Sequence, residues 1–200
     1  MKIGIDIDDT TFVTVKSMLK YADKFELERT GKVNKDSFGL IKDRYYLKAL
    51  YKWDDETKYA FFNKYYKNIL EECTLMKDAD ITLQKLKSEG DEINFVTARL
   101  MDIDGCETEK ITKESLKKFN IPYDNLNLHV IDKVKFFKEN NIDICIEDSY
   151  ETCSRLQSLG IKSILMTTKM NEKIDTKDVV RVNNWNEIYD IIENYKRSLN

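Results

Sequence analysis

The sequence predicts an α/β fold in which a parallel β-sheet carries helices on both faces and a helical insert interrupts the chain after the first strand. Three observations lead there. Short apolar runs of strand length recur along the chain, helix-period segments separate the later runs, and residues 11–77 have almost no β-branched runs.

Residues 2–6 (KIGID) are the first short apolar run and read as a buried strand. Residues 11–77 are rich in Lys, Tyr, Phe and Glu and repeat apolar side chains at helical spacing, as in Met18, Tyr21 and Phe25, or Tyr59, Phe62, Tyr66, Ile69 and Leu70. One strand precedes this stretch and the others follow it, so the chain leaves the sheet after strand one and returns before strand two. An insert so placed sits over the carboxyl end of the sheet, where open α/β proteins bind ligands. This divides the chain into a core of residues 1–11 and 79–200 and an insert of residues 12–78.

Beyond the insert, strand and helix alternate. Helix 79–88 stops at Gly90, strand 92–98 (EINFVTA) follows, and helix 112–119 ends near Pro122. Strand 126–131 (LNLHVI), helix 134–139, strand 143–148 (DICIED) and helix 151–159, stopped by Gly160, come next. Strands 162–167 and 179–182 precede a last helix, 187–199, whose Ile188, Tyr189, Ile191, Ile192 and Tyr195 would pack on the sheet.

The chain has 200 residues, with 33 Lys and Arg against 36 Asp and Glu, a net charge of −3. No positive field would draw it to phosphate backbones or anionic lipid, so neither polymeric nucleic acid nor membrane is an expected partner. Asp6, Asp8 and Asp9 break up the opening MKIGIDIDDT, and no stretch approaches the ~20 apolar residues of a membrane span, so a cytoplasmic location is expected. Cys73, Cys106, Cys145 and Cys153 show no CxxC spacing, and Cys145 lies in an apolar run. They read as buried reduced thiols rather than a disulfide framework or zinc site.

The first strand runs into Asp6-Ile7-Asp8-Asp9-Thr10. Residues two apart on an extended chain share a face, so Asp6 and Asp8 both point to the strand's mouth. Carboxylates this close repel unless a cation or proton intervenes. A hard divalent ion, Mg²⁺ by preference, takes oxygen ligands and keeps positions open for water and phosphate. The competing reading is an acidic turn leading into a helix. Glu147-Asp148, before Ser149, closes strand 143–148 in the same way. In a parallel sheet all carboxyl ends share one edge, which puts both acidic clusters on one rim; alternatively this pair only opens the helix that follows, through its dipole. Thr97 ends strand 92–98, and its hydroxyl, with the backbone N–H groups beyond it at Ala98 and Arg99, suits a phosphoryl oxygen. Lys133 brings an ammonium to the rim after strand 126–131, while Lys135 and Lys138 read as a solvated face.

In this order, DIDDT, VTAR, a lysine and IEDS resemble the four motifs of the haloacid dehalogenase (HAD) superfamily, and the resemblance spans the whole chain. It implies a Rossmann-like core with the insert in the family's first cap position. It also implies roles: Asp6 would be the nucleophile that attacks phosphorus and forms an aspartyl-phosphate, and Asp8 would protonate the leaving oxygen and later take the proton of water. Asp6, the backbone carbonyl of Asp8 and Asp148 would hold Mg²⁺, with Glu147 behind them acting through water or orienting Lys133. Thr97 would bind the phosphoryl group, and Lys133 would stabilise the nucleophile and the transferring charge. Dehalogenases lack an acid at the Asp8 position, so Asp8 favours phosphoryl transfer. Residues 95–126 and the stretch VIDKVKFFKENNIDICIED are most similar to the 5′-nucleotidase type C group. Asp9 stands where many members have Gly and adds a charge close to the metal.

Other residues carry two readings each. His129 sits in a predicted apolar strand as a core or rim side chain, or serves catalysis. Arg99 grips a substrate phosphate or bridges to the insert. Tyr45, Tyr46, Tyr51 and Trp53 form a stacking surface for a base or the insert's own core. The expected protein is a Mg²⁺-dependent phosphomonoesterase for a small-molecule phosphomonoester, a nucleoside monophosphate above all, like the 5′(3′)-nucleotidases. A sugar-phosphate phosphatase or phosphomutase would use the same residues. A receiver-like phospho-acceptor module, whose phosphorylated Asp ends a middle strand, has no place for an insert of ~65 residues in a domain of ~120.

Overall fold

The computed structural model describes residues 1–36, 46–101, 103–176 and 179–199. Six strands build its main sheet: β1 (Lys2–Ile5), β4 (Glu92–Val96), β5 (Asn125–Asn127), β6 (Ile144–Glu147), β7 (Lys162–Met166) and β8 (Val180–Val182). They lie in the order β5–β4–β1–β6–β7–β8, every neighbouring pair parallel. The chain steps from β1 to β4 on one side and to β6 on the other, so β1 is the point where the winding reverses and a crevice opens at the strand ends.

Alternation along the strands supplies two apolar faces. Ile3, Ile5, Ile93, Phe95, Ile144 and Ile146 pack with Leu83 and Leu86 of α4 (Ala79–Ser88), Leu116 of α5 (Thr108–Lys118), and Trp185, Ile188 and Ile192 of α8 (Trp185–Leu199). On the opposite face Cys145 meets Val134 and Phe137 of α6 (Lys133–Glu139) and Leu156 of α7 (Tyr150–Ser158). Gly4 is required here, because a Cβ would stand 2.5 Å from the Phe137 ring. Each fully buried Ile, Leu or Phe contributes roughly 1.5–3 kcal/mol, which is what fixes the strand ends in space.

The insert leaves and rejoins the core through a short antiparallel ribbon, β2 (Phe12–Val13) and β3 (Thr74–Leu75). Between these strands lie α1 (Val15–Thr30), α2 (Tyr46–Tyr51) and α3 (Asp55–Glu71), around a cluster that includes Tyr21, Phe25, Leu50, Trp53, Phe61, Tyr65 and Ile69. Helix α3 carries two stripes. Phe61, Tyr65 and Ile69 face the insert's own core, whereas Phe62, Tyr66 and Leu70 pack against Leu100, Ile103, Cys106 and Ile111 of the sheet domain.

The α/β class and the strand order in the chain agree with the sequence reading, and four details differ. Strand 126–131 is only Asn125–Asn127: β5 lies at the sheet edge, and His129 turns the chain at φ 56°. His129 is therefore an exposed loop residue and not part of an apolar strand. The ribbon strands of two residues are too short to show a period. Helix α5 begins at Thr108, four residues before the predicted start, because its apolar spacing begins only at Ile111. Helix α8 begins at Trp185, where Asn184 and Glu187 exchange bonds: Glu187 N–H donates to Asn184 Oδ1 and Asn184 Nδ2 to Glu187 Oε1, while Asn183 N–H donates to Glu187 Oε2. All four cysteines are buried and unbridged.

Candidate active site

Asp6 continues β1 by one residue, its N–H donating to the Ile146 carbonyl at 2.9 Å. The loop after it is pinned from below: the Thr11 hydroxyl donates to the Asp6 carbonyl at 2.8 Å, and the N–H groups of Thr11 and Phe12 reach the Ile7 carbonyl. Asp9 adopts φ 58°, the left-handed region that glycine prefers, which accounts for Gly being common there. Two bonds offset the strain, since Asp9 Oδ1 accepts the N–H groups of Thr14 and Val15, each at 2.9 Å, at the start of α1. Burial and the nearby Asp8 push the Asp9 carboxyl up to about 7, despite those two bonds.

At the end of β6 stand Glu147 and Asp148. Carboxylate oxygens of Asp6, Glu147 and Asp148 lie within 4.8 Å of one another. Lys133, the first residue of α6, sends its Nζ to Asp6 Oδ1 and to both oxygens of Glu147, at 2.9 and 3.0 Å. One ammonium does not neutralise three carboxylates. Burial and mutual repulsion accordingly raise the pKa of Asp6, lift that of Asp148 well above the carboxylate range and push that of Glu147 up to about 8. Lys133, between two carboxylates, is held in its charged form. Asn171, itself buried, donates to the Asp148 carbonyl at 2.8 Å and fixes that turn.

A few ångströms of chain away, Asp8 is balanced. Arg99 Nε donates to Asp8 Oδ2 at 2.9 Å and Nη2 to Oδ1 at 2.8 Å, while Nη1 donates to Thr112 Oγ1 at 2.8 Å. The Thr14 hydroxyl adds a bond of 2.6 Å to Asp8 Oδ1. Burial would raise the Asp8 carboxyl, but the Arg99 charge and these bonds hold it below the ordinary carboxylate value. Thr97 is buried at the end of β4, with its hydroxyl 3.5 Å from Asp8 Oδ2.

Asp6, Asp8, Thr97, Ala98, Lys133, Glu147 and Asp148 all line one cleft of about 760 Å³ between the strand ends and the insert. Its far wall includes Met18, Tyr46, Tyr59, Phe62 and Tyr66. Arg99 turns to neither partner weighed from sequence: its guanidinium is committed to Asp8 and Thr112, at 2 % side-chain exposure. Of the predicted stacking residues, Tyr51 and Trp53 are buried in the insert and stack on each other, ring centroids 4.7 Å apart, which is the core reading. Tyr46 lines the cleft, and Tyr45 lies outside the described residues. Sequence reading missed Thr14 as a partner of Asp8 and the second stripe of α3 as a cleft wall. The offset of 62, 66 and 70 from 61, 65 and 69 was the available signal for the latter.

The family model described as 5′ nucleotidase, deoxy (pyrimidine), cytosolic type C protein matches residues 1–198. A nucleotidase of Clostridium acetobutylicum is 33% identical over 151 residues, 75% of this chain and 76% of the relative. Among solved structures, a predicted phosphatase of Clostridium acetobutylicum has a TM-score of 0.71 at 16% identity, with 96% of this chain and 98% of that one covered. A HAD-hydrolase candidate of Bacillus subtilis, in an orthorhombic form bound to magnesium, gives 0.63 at 13% identity over 96% and 98% of the two chains. At such identities these two structures speak for the fold alone. No helix among the described residues is long and apolar enough to cross a membrane.

Proposed function

Because this chain belongs to the cytosolic type C 5′-nucleotidases, a family of HAD-superfamily hydrolases, we propose that it is a Mg²⁺-dependent phosphomonoesterase that hydrolyses nucleoside monophosphates through an aspartyl-phosphate at Asp6. The observation that carries this reading is the cluster of Asp6, Glu147 and Asp148 with, among the described residues, the Lys133 ammonium between two of them. Such an edge has excess negative charge and hard oxygen donors, the donor set that Mg²⁺ takes. The carboxylates of Asp6 and Asp148 and the main-chain carbonyl of Asp8 would hold the ion, with Glu147 behind them steadying Lys133. When bound, it supplies charge to offset the transferring phosphoryl group and to orient it.

The chain's own groups do the rest. Asp6 attacks phosphorus through a carboxylate oxygen as the ester P–O bond breaks, and the leaving oxygen takes the proton carried by Asp8. Water then attacks the acyl phosphate, Asp8 accepts its proton, and the P–O bond to Asp6 breaks to release inorganic phosphate. The ionised Asp8 paired with Arg99 is the form this second step needs. An entering phosphoryl group brings like charge beside Asp8, which favours the protonated form the first step needs. The Lys133 ammonium stabilises the Asp6 carboxylate, and the Thr97 hydroxyl and the Ala98 N–H receive phosphoryl oxygens. The insert closes the cleft as a cap, with the boundaries 12–78, and Tyr46, Tyr59 and Phe62 offer ring faces to a base.

Comparison of kcat/KM across nucleoside 5′- and 3′-monophosphates and sugar phosphates, with Mg²⁺, tests the substrate class. The proposal expects a nucleotide to lead the panel. A sugar phosphate in the lead would transfer the same machinery to the alternative substrates, and equal feeble turnover of all would overturn the nucleotidase reading.

A further inference from the structure

Arg99 is a large cation buried at the wall of the catalytic cleft, yet its side-chain donors are committed to Asp8 and Thr112. Both Asp8 oxygens are taken in a fork, Nε to Oδ2 and Nη2 to Oδ1, while Nη1 is anchored on Thr112 Oγ1. The Thr112 hydroxyl spends its own proton on the Thr108 carbonyl at 2.7 Å, so it presents a lone pair to Arg99. A planar guanidinium fixed at its third corner fixes the plane of the carboxylate it grips. Asp8 Oδ1 is further occupied by the Thr14 hydroxyl, whereas Oδ2 faces the Thr97 hydroxyl at 3.5 Å. Stability is a poor account of this pair. A buried ion pair contributes little net free energy over an apolar replacement, and this one consumes the desolvation of two charges. The loop is itself held from the insert, because the Leu100 N–H, next in the chain, donates to the Tyr66 phenol oxygen at 2.9 Å.

We propose that Arg99 is a positioning residue that presents Asp8 to the leaving oxygen, and does not bind substrate. The inference rests on the reading of Asp8 as proton donor and acceptor. Its signature is sensitivity to the leaving group. A well-oriented acid matters most when the departing oxygen is basic, and little when it leaves readily as a nitrophenolate.

The test compares phenyl phosphate with 4-nitrophenyl phosphate, both without a base, so it stands whether or not nucleotides are the substrates. Wild type, Arg99→Gln, Arg99→Lys, Asp8→Asn and the double variant Asp8→Asn/Arg99→Gln are assayed with Mg²⁺. For Arg99→Gln the expectation is a fall in kcat/KM, which reports attack by Asp6 and departure of the leaving group, on the order of 10²-fold for phenyl phosphate and under about 10-fold for 4-nitrophenyl phosphate. Arg99→Lys, which keeps the charge and loses the fork, falls between. The ratio of the two substrates in one preparation is independent of the fraction folded, which separates positioning from a structural loss. In the Asp8→Asn background, Arg99→Gln should add nothing. Equal losses for both substrates, or additive losses in the double variant, would each overturn the proposal. Selective loss in Asp8→Asn without selective loss in Arg99→Gln overturns the Arg99 assignment alone. No selectivity in Asp8→Asn removes the reading of Asp8, and the proposal with it.

Discussion

Two halves of one cleft solve the same problem in opposite ways. On the β4 side the half-buried carboxylate of Asp8 meets the buried Arg99 guanidinium and two hydroxyls, and its acidity is strengthened. On the β1 and β6 side three carboxylates share Lys133, and burial with mutual repulsion weakens their acidity. Desolvation raises the carboxyls of both halves, so what separates them is the local balance of charges. The first half is complete as it stands, whereas the second has a charge deficit that a divalent cation would fill.

The largest effect that sharpens this contrast is loss of the proposed nucleophile. Asp6→Asn should reduce hydrolysis of 4-nitrophenyl phosphate by several orders of magnitude, read in a steady-state assay, whereas Arg99→Gln costs under about 10-fold. Removing metal comes next. Excess chelator should abolish turnover and Mg²⁺ should restore it, since the β1 and β6 half then carries uncompensated charge; full activity in chelator would break the comparison.

Stability against pH gives the third effect. Glu147 rises from its ordinary range to about 8, so between about 4.3 and 8 the metal-free folded chain binds a proton that the unfolded chain releases. Metal-free protein should therefore lose up to ~1.4 kcal/mol per pH unit from this group as pH rises through that window, with no further contribution above it. Thermal melts across pH 5–8 check the sign, and the stabilisation by Mg²⁺ should grow with pH because protons compete for the same oxygens. Fourth, Asp148→Asn should raise the stability of metal-free protein at pH 8 by about 1–3 kcal/mol while removing the response to Mg²⁺, a gain that costs function. The smallest expected effect is Tyr66→Phe, which leaves the Leu100 N–H without its acceptor and should cost about 1 kcal/mol in a denaturant titration.

The halves also differ in how far they could be read in advance. The β1 and β6 half follows from pattern, because acids closing apolar runs in parallel strands must share an edge, and Lys133 follows its strand into the same rim. Arg99 was visible as a residue but not as a partner: its fork is set by Thr112, thirteen residues on in a helix whose start sequence reading misplaced, and the Thr14 hydroxyl that also holds Asp8 lies just past β2, a strand too short to show a period. Asp9 was legible as a departure from glycine, and only its φ of 58° and its two bonds to the start of α1 show how the chain tolerates it. His129 misled because an apolar run at a sheet edge can spend its second half turning.

The charge deficit at Asp6, Glu147 and Asp148 is tested most directly by titrating metal-free protein with Mn²⁺, a spectroscopic stand-in for Mg²⁺, and counting bound ions by electron paramagnetic resonance. One ion per chain, displaced by Mg²⁺, lost in Asp148→Asn and kept in Arg99→Gln, is the predicted result. Absence of binding, or binding undiminished in Asp148→Asn, would contradict it.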